Sequence, residues 1–192
     1  MKYATLLNKL LIMISLLAFG LTACAAPKPA FHNEVIDPPV AAAEIKMTDQ
    51  NGKAFQLSSE RGKVVLLYFG FVNCPDECPL TMAHIKQALE TLGDQAQNVQ
   101  VVMVSTDPVR DTPEAMGNFL GAFNSSFIGI PGTPEELAKI YKDYGVVVLD
   151  GGETHSSYTY VIDQKGNLRL TFSPDTQPDD ITADLKILLA QG

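Results

Sequence analysis

The chain is organised around a strand end, a cysteine loop and a helix start, Phe69-Gly70-Phe71-Val72-Asn73-Cys74-Pro75-Asp76-Glu77-Cys78-Pro79. The unbroken apolar run at residues 64–69 predicts a β-strand buried on both faces, as in the central strands of α/β sheets. Pro79 is typical of the first turn of a helix. Both sulfurs are therefore expected at a helix N-terminus, where the partial positive charge favours a thiolate.

Three interpretations of this cysteine pair remain open from its spacing. The pair is a redox dithiol, part of a soft-metal site, or a static disulfide that closes a short loop. Three residues separate Cys74 from Cys78. A thioredoxin-type oxidoreductase has two, so its redox geometry does not transfer directly.

Residues 1–23 have the pattern of a secretory signal peptide, with Lys2 and Lys9 before an apolar core. That core is shorter than the roughly 20 apolar residues of a spanning helix. The segment ends Leu21-Thr22-Ala23-Cys24, which resembles a bacterial lipobox. We therefore expect lipid on Cys24 and a domain anchored outside the cytoplasm, at a bacterial cell membrane (periplasm or outer face). An ordinary signal peptide is the alternative.

Composition narrows the function classes further. With Cys24 lipidated, Cys74 and Cys78 are the thiols left to the mature chain. The formal net charge is −8, and removal of the two signal-peptide lysines makes it about −10. This excess of acidic residues argues against nucleic-acid binding through a basic patch.

The order of predicted elements is that of an α/β, thioredoxin-like fold with an N-terminal β-hairpin and a central helical insertion. Residues 24–42, rich in Pro and Ala, are expected to be a tether, and residues 43–192 one domain. The hairpin turns at Asn51-Gly52. Further strands are predicted at 63–71, 99–105, 127–130, 157–163 and 168–172, and helices at 79–92, 112–123, 133–144 and 178–189.

His155 offers a third soft ligand. It precedes the predicted strand at 157–163, and in a thioredoxin arrangement this loop returns beside the dithiol. Two thiolates and one imidazole suit Cu(I), or Cu(II) with an added ligand, whereas structural zinc normally takes four protein ligands. A loop histidine bonded to backbone is the alternative. His32 is expected to be solvated in the tether, and His84 to lie on a helix surface.

Four ordered segments resemble the SCO/SenC family, which comprises extracytoplasmic, copper-binding, thioredoxin-like proteins linked to cytochrome c oxidase assembly. They span most of residues 43–190. The segments are Phe69-Gly70-Phe71 with Cys74-Pro75-Asp76-Glu77-Cys78-Pro79; Val104-Ser105-Thr106-Asp107-Pro108-Val109-Arg110-Asp111-Thr112-Pro113; Phe127-Ile128-Gly129 with Gly132-Thr133-Pro134-Glu135-Glu136; and His155-Ser156 with Tyr160-Val161-Ile162-Asp163.

The resemblance implies copper ligands at Cys74, Cys78 and His155, holding Cu(I), Cu(II) or both. It also implies supporting acidic residues at Asp107 and Asp111, for which capping of the helix at Thr112 is an equal alternative. The implied partners are the copper-site subunit of cytochrome c oxidase and another copper chaperone.

Two functions follow from this reading. One is a membrane-anchored copper chaperone that delivers copper to the dicopper site of the oxidase. The other is a thiol-disulfide oxidoreductase that reduces the cysteine pair of that site, so the assignment as an enzyme is left open. A peroxiredoxin-type peroxidase is disfavoured, because Phe71 stands where the Thr-x-x-Cys pattern of those enzymes has threonine.

Overall fold

The fold alternates strands and helices around one large sheet. The computed structural model describes residues 30–149 and 154–192; the expected signal peptide and Cys24 lie outside them. The strands are β1 (Glu34–Ala41), β2 (Lys46–Thr48), β3 (Ala54–Gln56), β4 (Val64–Gly70), β5 (Val99–Ser105), β6 (Ile128–Ile130), β7 (Val148–Leu149), β8 (Thr154–His155), β9 (Thr159–Ile162) and β10 (Asn167–Phe172). The helices are α1 (Glu77–Leu92), α2 (Pro113–Gly121), α3 (Pro134–Tyr144) and α4 (Pro178–Leu189).

The main sheet has six strands in the order β1-β10-β9-β4-β5-β6. β4, β5 and β6 are parallel, whereas β9 joins β4 in the antiparallel sense. β2 and β3 form the separate N-terminal hairpin, and α3 is the inserted central helix. This arrangement confirms the predicted α/β, thioredoxin-like class.

β4 is the central strand and is buried along its whole length. Because successive side chains point to opposite faces, its residues divide between two apolar clusters. Val64, Leu66 and Tyr68 pack with α1 and α4. Val65, Leu67 and Phe69 pack with α3 and the β2–β3 hairpin. The apolar run therefore predicts the burial of both faces correctly.

Local signals place the helix ends. The Thr112 hydroxyl accepts the Ala115 N–H over 3.1 Å at the start of α2. Thr133 and Glu136 form the predicted capping box of α3. α1 begins at Glu77, two residues earlier than predicted, which places Cys78 inside its first turn.

The N-terminal boundary of the domain differs from the prediction. Residues 34–41, expected in the tether, form strand β1, which pairs with β10 at the edge of the sheet. An edge strand tolerates Pro38 and Pro39 because its outer N–H groups need no partner in the sheet. His32 is not simply solvated, since its backbone N–H donates to the buried Asp184 over 2.8 Å.

Over the described residues, helices of the length and apolarity that a membrane span requires are absent.

Candidate metal centre

The two cysteines lie where β4 ends and α1 begins. Cys74 is partly exposed in the connecting loop, whereas Cys78 is fully buried in the first turn of α1, and both are free thiols. The Cys78 N–H donates a hydrogen bond to the Cys74 sulfur over 3.3 Å. An N–H donor at a helix N-terminus stabilises negative charge on that sulfur.

Cys78 is held from the opposite side by Tyr68. The buried Tyr68 hydroxyl donates a hydrogen bond to Cys78 Sγ over 3.3 Å. Burial raises the pKa of the Cys78 thiol to about 12, although this hydrogen bond acts in the other direction. The thiolate expected from the helix N-terminus is therefore opposed by burial at Cys78.

Gly70 lets the sulfur approach the backbone at the end of β4. A Cβ atom at this position would lie 3.0 Å from Cys78 Sγ and still nearer the ring of Tyr68. Only glycine leaves that space open. The Phe69-Gly70-Phe71 sequence thus permits close packing of the sulfur against β4.

His155 lies on the short strand β8, opposite Val148 of β7, rather than in an open loop. Its partly buried ring meets the rings of Phe71 and Tyr68 edge-on, with centroid separations of 5.8 and 6.4 Å. His155 Nδ1 lies 3.2 Å from the Ser156 carbonyl oxygen. A carbonyl only accepts hydrogen bonds, so this contact favours the neutral tautomer with the proton on Nδ1, in which Nε2 keeps a lone pair for a metal.

Cys74 and His155 line one surface cleft with a volume of about 420 Å³. Cys78 lies behind Cys74, against Tyr68. No three Cys, His, Asp or Glu side chains of the described residues already form a metal-holding group. Ligation by all three donors therefore requires a side-chain movement that brings His155 and the two sulfurs around one ion. The cleft is lined by Phe71, Cys74, Pro75, Asp76, Glu77, Thr154, His155 and Ser157.

Asp111 forms a hydrogen bond to the backbone of the cysteine loop. Its carboxylate accepts the Val72 N–H over 3.0 Å and the Ser105 hydroxyl over 2.6 Å. Burial raises the pKa of Asp111 above its ordinary value of 3.8, even though both hydrogen bonds lower it. Asp111 therefore contacts the backbone two residues before Cys74, while helix α2 is capped by Thr112 itself.

Asp107 reaches the site through Arg110. The buried Asp107 carboxylate accepts hydrogen bonds from the side-chain Nε–H and the backbone N–H of Arg110. The Arg110 guanidinium lies over the Phe71 ring, 5.9 Å from its centroid, and Phe71 contacts His155. A cation on an aromatic face is favourable, so this chain of contacts fixes the ring against which His155 packs.

Sequence reasoning missed Tyr68 and Arg110 as parts of this site. Tyr68 has a recognisable signal, because it places a hydroxyl in an otherwise apolar strand and a buried hydroxyl needs a partner. Arg110 stands in the quoted segment between the two acidic residues. His84 is partly buried on α1 and its Nδ1 lies 3.0 Å from the Thr176 carbonyl oxygen, so it has a structural partner there.

The fold and the cleft define a thioredoxin-like protein with a dithiol and a histidine beside the end of the central strand β4. The chain belongs to the SCO1/SenC family, whose profile matches residues 35–190. The family resemblance read from the four sequence segments is thereby confirmed.

Three solved structures illustrate the similarity. The chain is 35% identical to copper-bound ScoI of Bradyrhizobium japonicum, with a TM-score of 0.71, over 78% of this chain and 100% of that one. It is 36% identical to apo Sco1 of Thermus thermophilus, with a TM-score of 0.75, over 85% and 100%. It is 29% identical to a SCO1/SenC family lipoprotein of Bacillus anthracis, with a TM-score of 0.69, over 80% and 98%.

Proposed function

We propose that this protein is a membrane-anchored copper chaperone that delivers copper to the dicopper site of cytochrome c oxidase. Cys74, Cys78 and His155 are its proposed copper ligands. The observation that carries the proposal is the shared cleft of Cys74 and His155, with Cys78 directly behind the first cysteine. Copper binding and oxidase assembly are properties of SCO/SenC proteins.

Copper fits the donors that line the cleft, Cys74 and His155, together with Cys78 directly behind Cys74. Two sulfurs and an imidazole with a free Nε2 form a soft set, which suits copper better than a hard cation. The Bradyrhizobium japonicum relative has been solved with copper bound. The thiols must be reduced and deprotonated to ligate, so copper loading depends on the redox state of the pair.

Delivery proceeds by ligand exchange. A thiolate of the acceptor enters the cleft at the exposed side, where Cys74 lies, and replaces one sulfur at a time. The copper ion passes to the acceptor, and protons return to the released cysteines.

Large apolar side chains on segments beside the cleft, such as Leu80, Val109, Leu149 and Tyr158, are exposed and suit contact with a protein acceptor.

We also propose that lipid on Cys24 anchors the protein to the membrane. Residues 1–23 act as a lipoprotein signal peptide, Cys24 receives lipid, and the folded domain follows a short tether outside the cytoplasm. A relative from Bacillus anthracis is described as a lipoprotein. Replacement of Cys24 by Ala should move the protein from the membrane fraction to the soluble fraction; unchanged membrane association would contradict the anchor.

Copper titration of the reduced protein tests the proposed site. We expect about one Cu(I) per chain and a markedly lower affinity in His155→Ala. His84→Ala is the matched control, since His84 is bonded to the Thr176 carbonyl and should leave copper affinity unchanged. Equal affinities in wild type and His155→Ala would remove His155 from the site.

A thiol-disulfide reductase that acts on the oxidase cysteine pair is the second candidate. The difference in exposure between Cys74 and Cys78 favours it, because an accessible thiol attacks and a second thiol resolves. The Cys74 thiolate would attack the target disulfide and form a mixed disulfide. Cys78 would then release the reduced target and leave a Cys74–Cys78 disulfide, with two electrons transferred.

The burial of Cys78 opposes its deprotonation in both candidates, and the rate of disulfide reduction together with copper binding distinguishes them. A thiol with a pKa raised to about 12 is rarely deprotonated at neutral pH, which slows the resolving step. We expect slow reduction of an oxidised oxidase copper-site peptide and accumulation of mixed disulfide in Cys78→Ser. Rapid peptide reduction by a protein that binds no copper would favour the reductase.

A further inference from the structure

A hydrogen bond ties the segment that carries His155 to the helix that carries Cys78. The Ser157 hydroxyl donates to Glu77 Oε2 over 2.7 Å. Ser157 follows His155 by two residues, and Glu77 immediately precedes Cys78. Both side chains line the same cleft as Cys74 and His155.

The segment around His155 has little other regular structure to hold it. β7 and β8 are two residues each, and such a short strand pair is weak by itself. Ser156 adds two hydrogen bonds to Val147: its N–H donates to the Val147 carbonyl over 3.1 Å, and its hydroxyl accepts the Val147 N–H over 3.3 Å. The Ser157 hydroxyl also lies 3.4 Å from the His155 carbonyl oxygen, but its single proton is donated over the shorter distance, to Glu77.

We propose that Ser157 and Glu77 form a clasp that positions His155 for metal binding. The clasp keeps the short strand against α1 before copper arrives, so less conformational entropy is lost when His155 becomes a ligand. Its acceptor is a carboxylate, which strengthens the hydrogen bond. Ser157 and Glu77 are positioning residues and bind no copper themselves. The role rests on the proposed ligation by His155.

Copper affinity in a double-mutant cycle tests this role. Ser157→Ala should lower Cu(I) affinity about three- to tenfold, the effect of one lost hydrogen bond, and Ser157→Thr should restore it. In a His155→Ala background, Ser157→Ala should have no further effect. A full additive loss in that background would show that Ser157 acts on something other than His155, and would overturn the clasp.

Adjacent acidic residues provide a matched control for charge. Glu77→Ala removes the acceptor, whereas Asp76→Ala removes a neighbouring carboxylate of the same cleft whose side chain makes no helix-cap hydrogen bond. We expect Glu77→Ala to match Ser157→Ala, and Asp76→Ala to have less effect on affinity. Equal losses in the two alanine variants would assign the effect to charge and overturn the clasp.

Hydrogen exchange of the metal-free protein gives a readout independent of copper. The Ser156 amide, bonded to Val147, should exchange faster in Ser157→Ala than in wild type. Unchanged exchange together with unchanged affinity would overturn the clasp while leaving copper binding intact. If His155→Ala itself binds copper like wild type, the proposed site fails, and exchange then reports whether the clasp orders the strand.

Discussion

The Tyr68 hydroxyl donates a hydrogen bond to the Cys78 sulfur inside the protein, and the same ring packs against His155 in a T-shaped arrangement. Tyr68 thus touches two of the three proposed copper ligands. It belongs to β4, which is buried along its whole length, so its position is fixed by the core. The candidate site is therefore built on the central strand as well as on the cysteine loop.

Replacement of Tyr68 by Phe should remove this hydrogen bond and keep the ring packing. We expect the reduced, metal-free protein to lose about 1 kcal/mol of unfolding free energy, the usual net effect of one hydrogen bond. Hydrogen bonding around a ligating sulfur also tunes the copper potential. Withdrawal of the donor leaves more charge on the sulfur, so the Cu(II)/Cu(I) potential should fall.

Denaturant unfolding and potentiometry of the copper-loaded protein measure these two effects. Tyr158→Phe is the control, since Tyr158 is 45% exposed and should show neither. A Tyr68→Phe protein with wild-type potential would indicate that Cys78 does not ligate the copper or that its hydrogen bond does not affect it.

Gly70→Ala should disturb the same contact from the backbone side. The added methyl group would meet Cys78 Sγ at 3.0 Å and crowd the Tyr68 ring. Overpacking of this kind costs about 1–3 kcal/mol, and thermal unfolding should show the loss. Gly121→Ala is the matched control, because among the described residues no atom beyond its own helix backbone and chain neighbours lies within 4 Å of the new methyl group, and alanine favours the end of α2. Equal stability of the two variants would contradict the close packing.

The sequence predicts those parts of the fold that depend on short-range signals. The apolar run of β4, the Thr133 cap and the helix at Pro178–Leu189 each follow from neighbouring residues. Strand β1 has no such signal, since Pro38 and Pro39 interrupt any alternation and its pairing with β10 lies far along the chain. Its formation depends on the edge of the completed sheet.

The candidate site likewise has some residues that the sequence predicts and others that it does not. The cysteine pair and His155 are found from residue type and from family resemblance. Their supports, Tyr68, Arg110 and the Ser157–Glu77 bond, depend on distances between segments that no local pattern encodes. The movement needed to bring His155 onto the sulfurs is likewise a property of side-chain positions, which the sequence does not reveal.

Asp111 should make stability depend on pH in a defined direction. Its pKa in the folded protein is raised by burial above 3.8, so the folded state binds its proton more tightly than the unfolded state. The contribution of the Asp111 carboxyl group to the free energy of unfolding is most favourable below about pH 4. It is lost as the pH rises through the raised pKa of this group in the folded protein. Asp111→Asn removes that dependence.

The test compares the pH dependence of the unfolding free energy in Asp111→Asn and in the wild-type protein. The unfolding free energy of Asp111→Asn relative to wild type should increase as pH rises from about 4 towards neutrality, by about 1.4 kcal/mol for each unit of raised pKa. Asparagine can still accept the Val72 N–H, so the loop contact survives. A difference that stays flat or shrinks over this range would contradict the raised pKa.

The start of the folded domain is fixed by one buried carboxylate. Asp184 is fully buried on α4, and its two oxygens accept the N–H groups of His32 and Asn33 together with the Asn33 side-chain amide, at 2.8, 3.1 and 2.9 Å. Asn33 also accepts the Thr176 hydroxyl over 2.9 Å. A buried charge requires such partners, so residues 32 and 33 belong to the domain.

Asn33→Ala should therefore destabilise the protein by about 1–3 kcal/mol, because it removes a donor from a buried carboxylate. Denaturant unfolding measures the loss. Asn118→Ala is the control: Asn118 is exposed on α2, and alanine is the better helix former there. The loss should be smaller in an Asp184→Ala background, since the two residues share one network. An equal loss in both backgrounds would show that Asn33 stabilises the domain without Asp184 and that residues 32 and 33 are not held by this carboxylate.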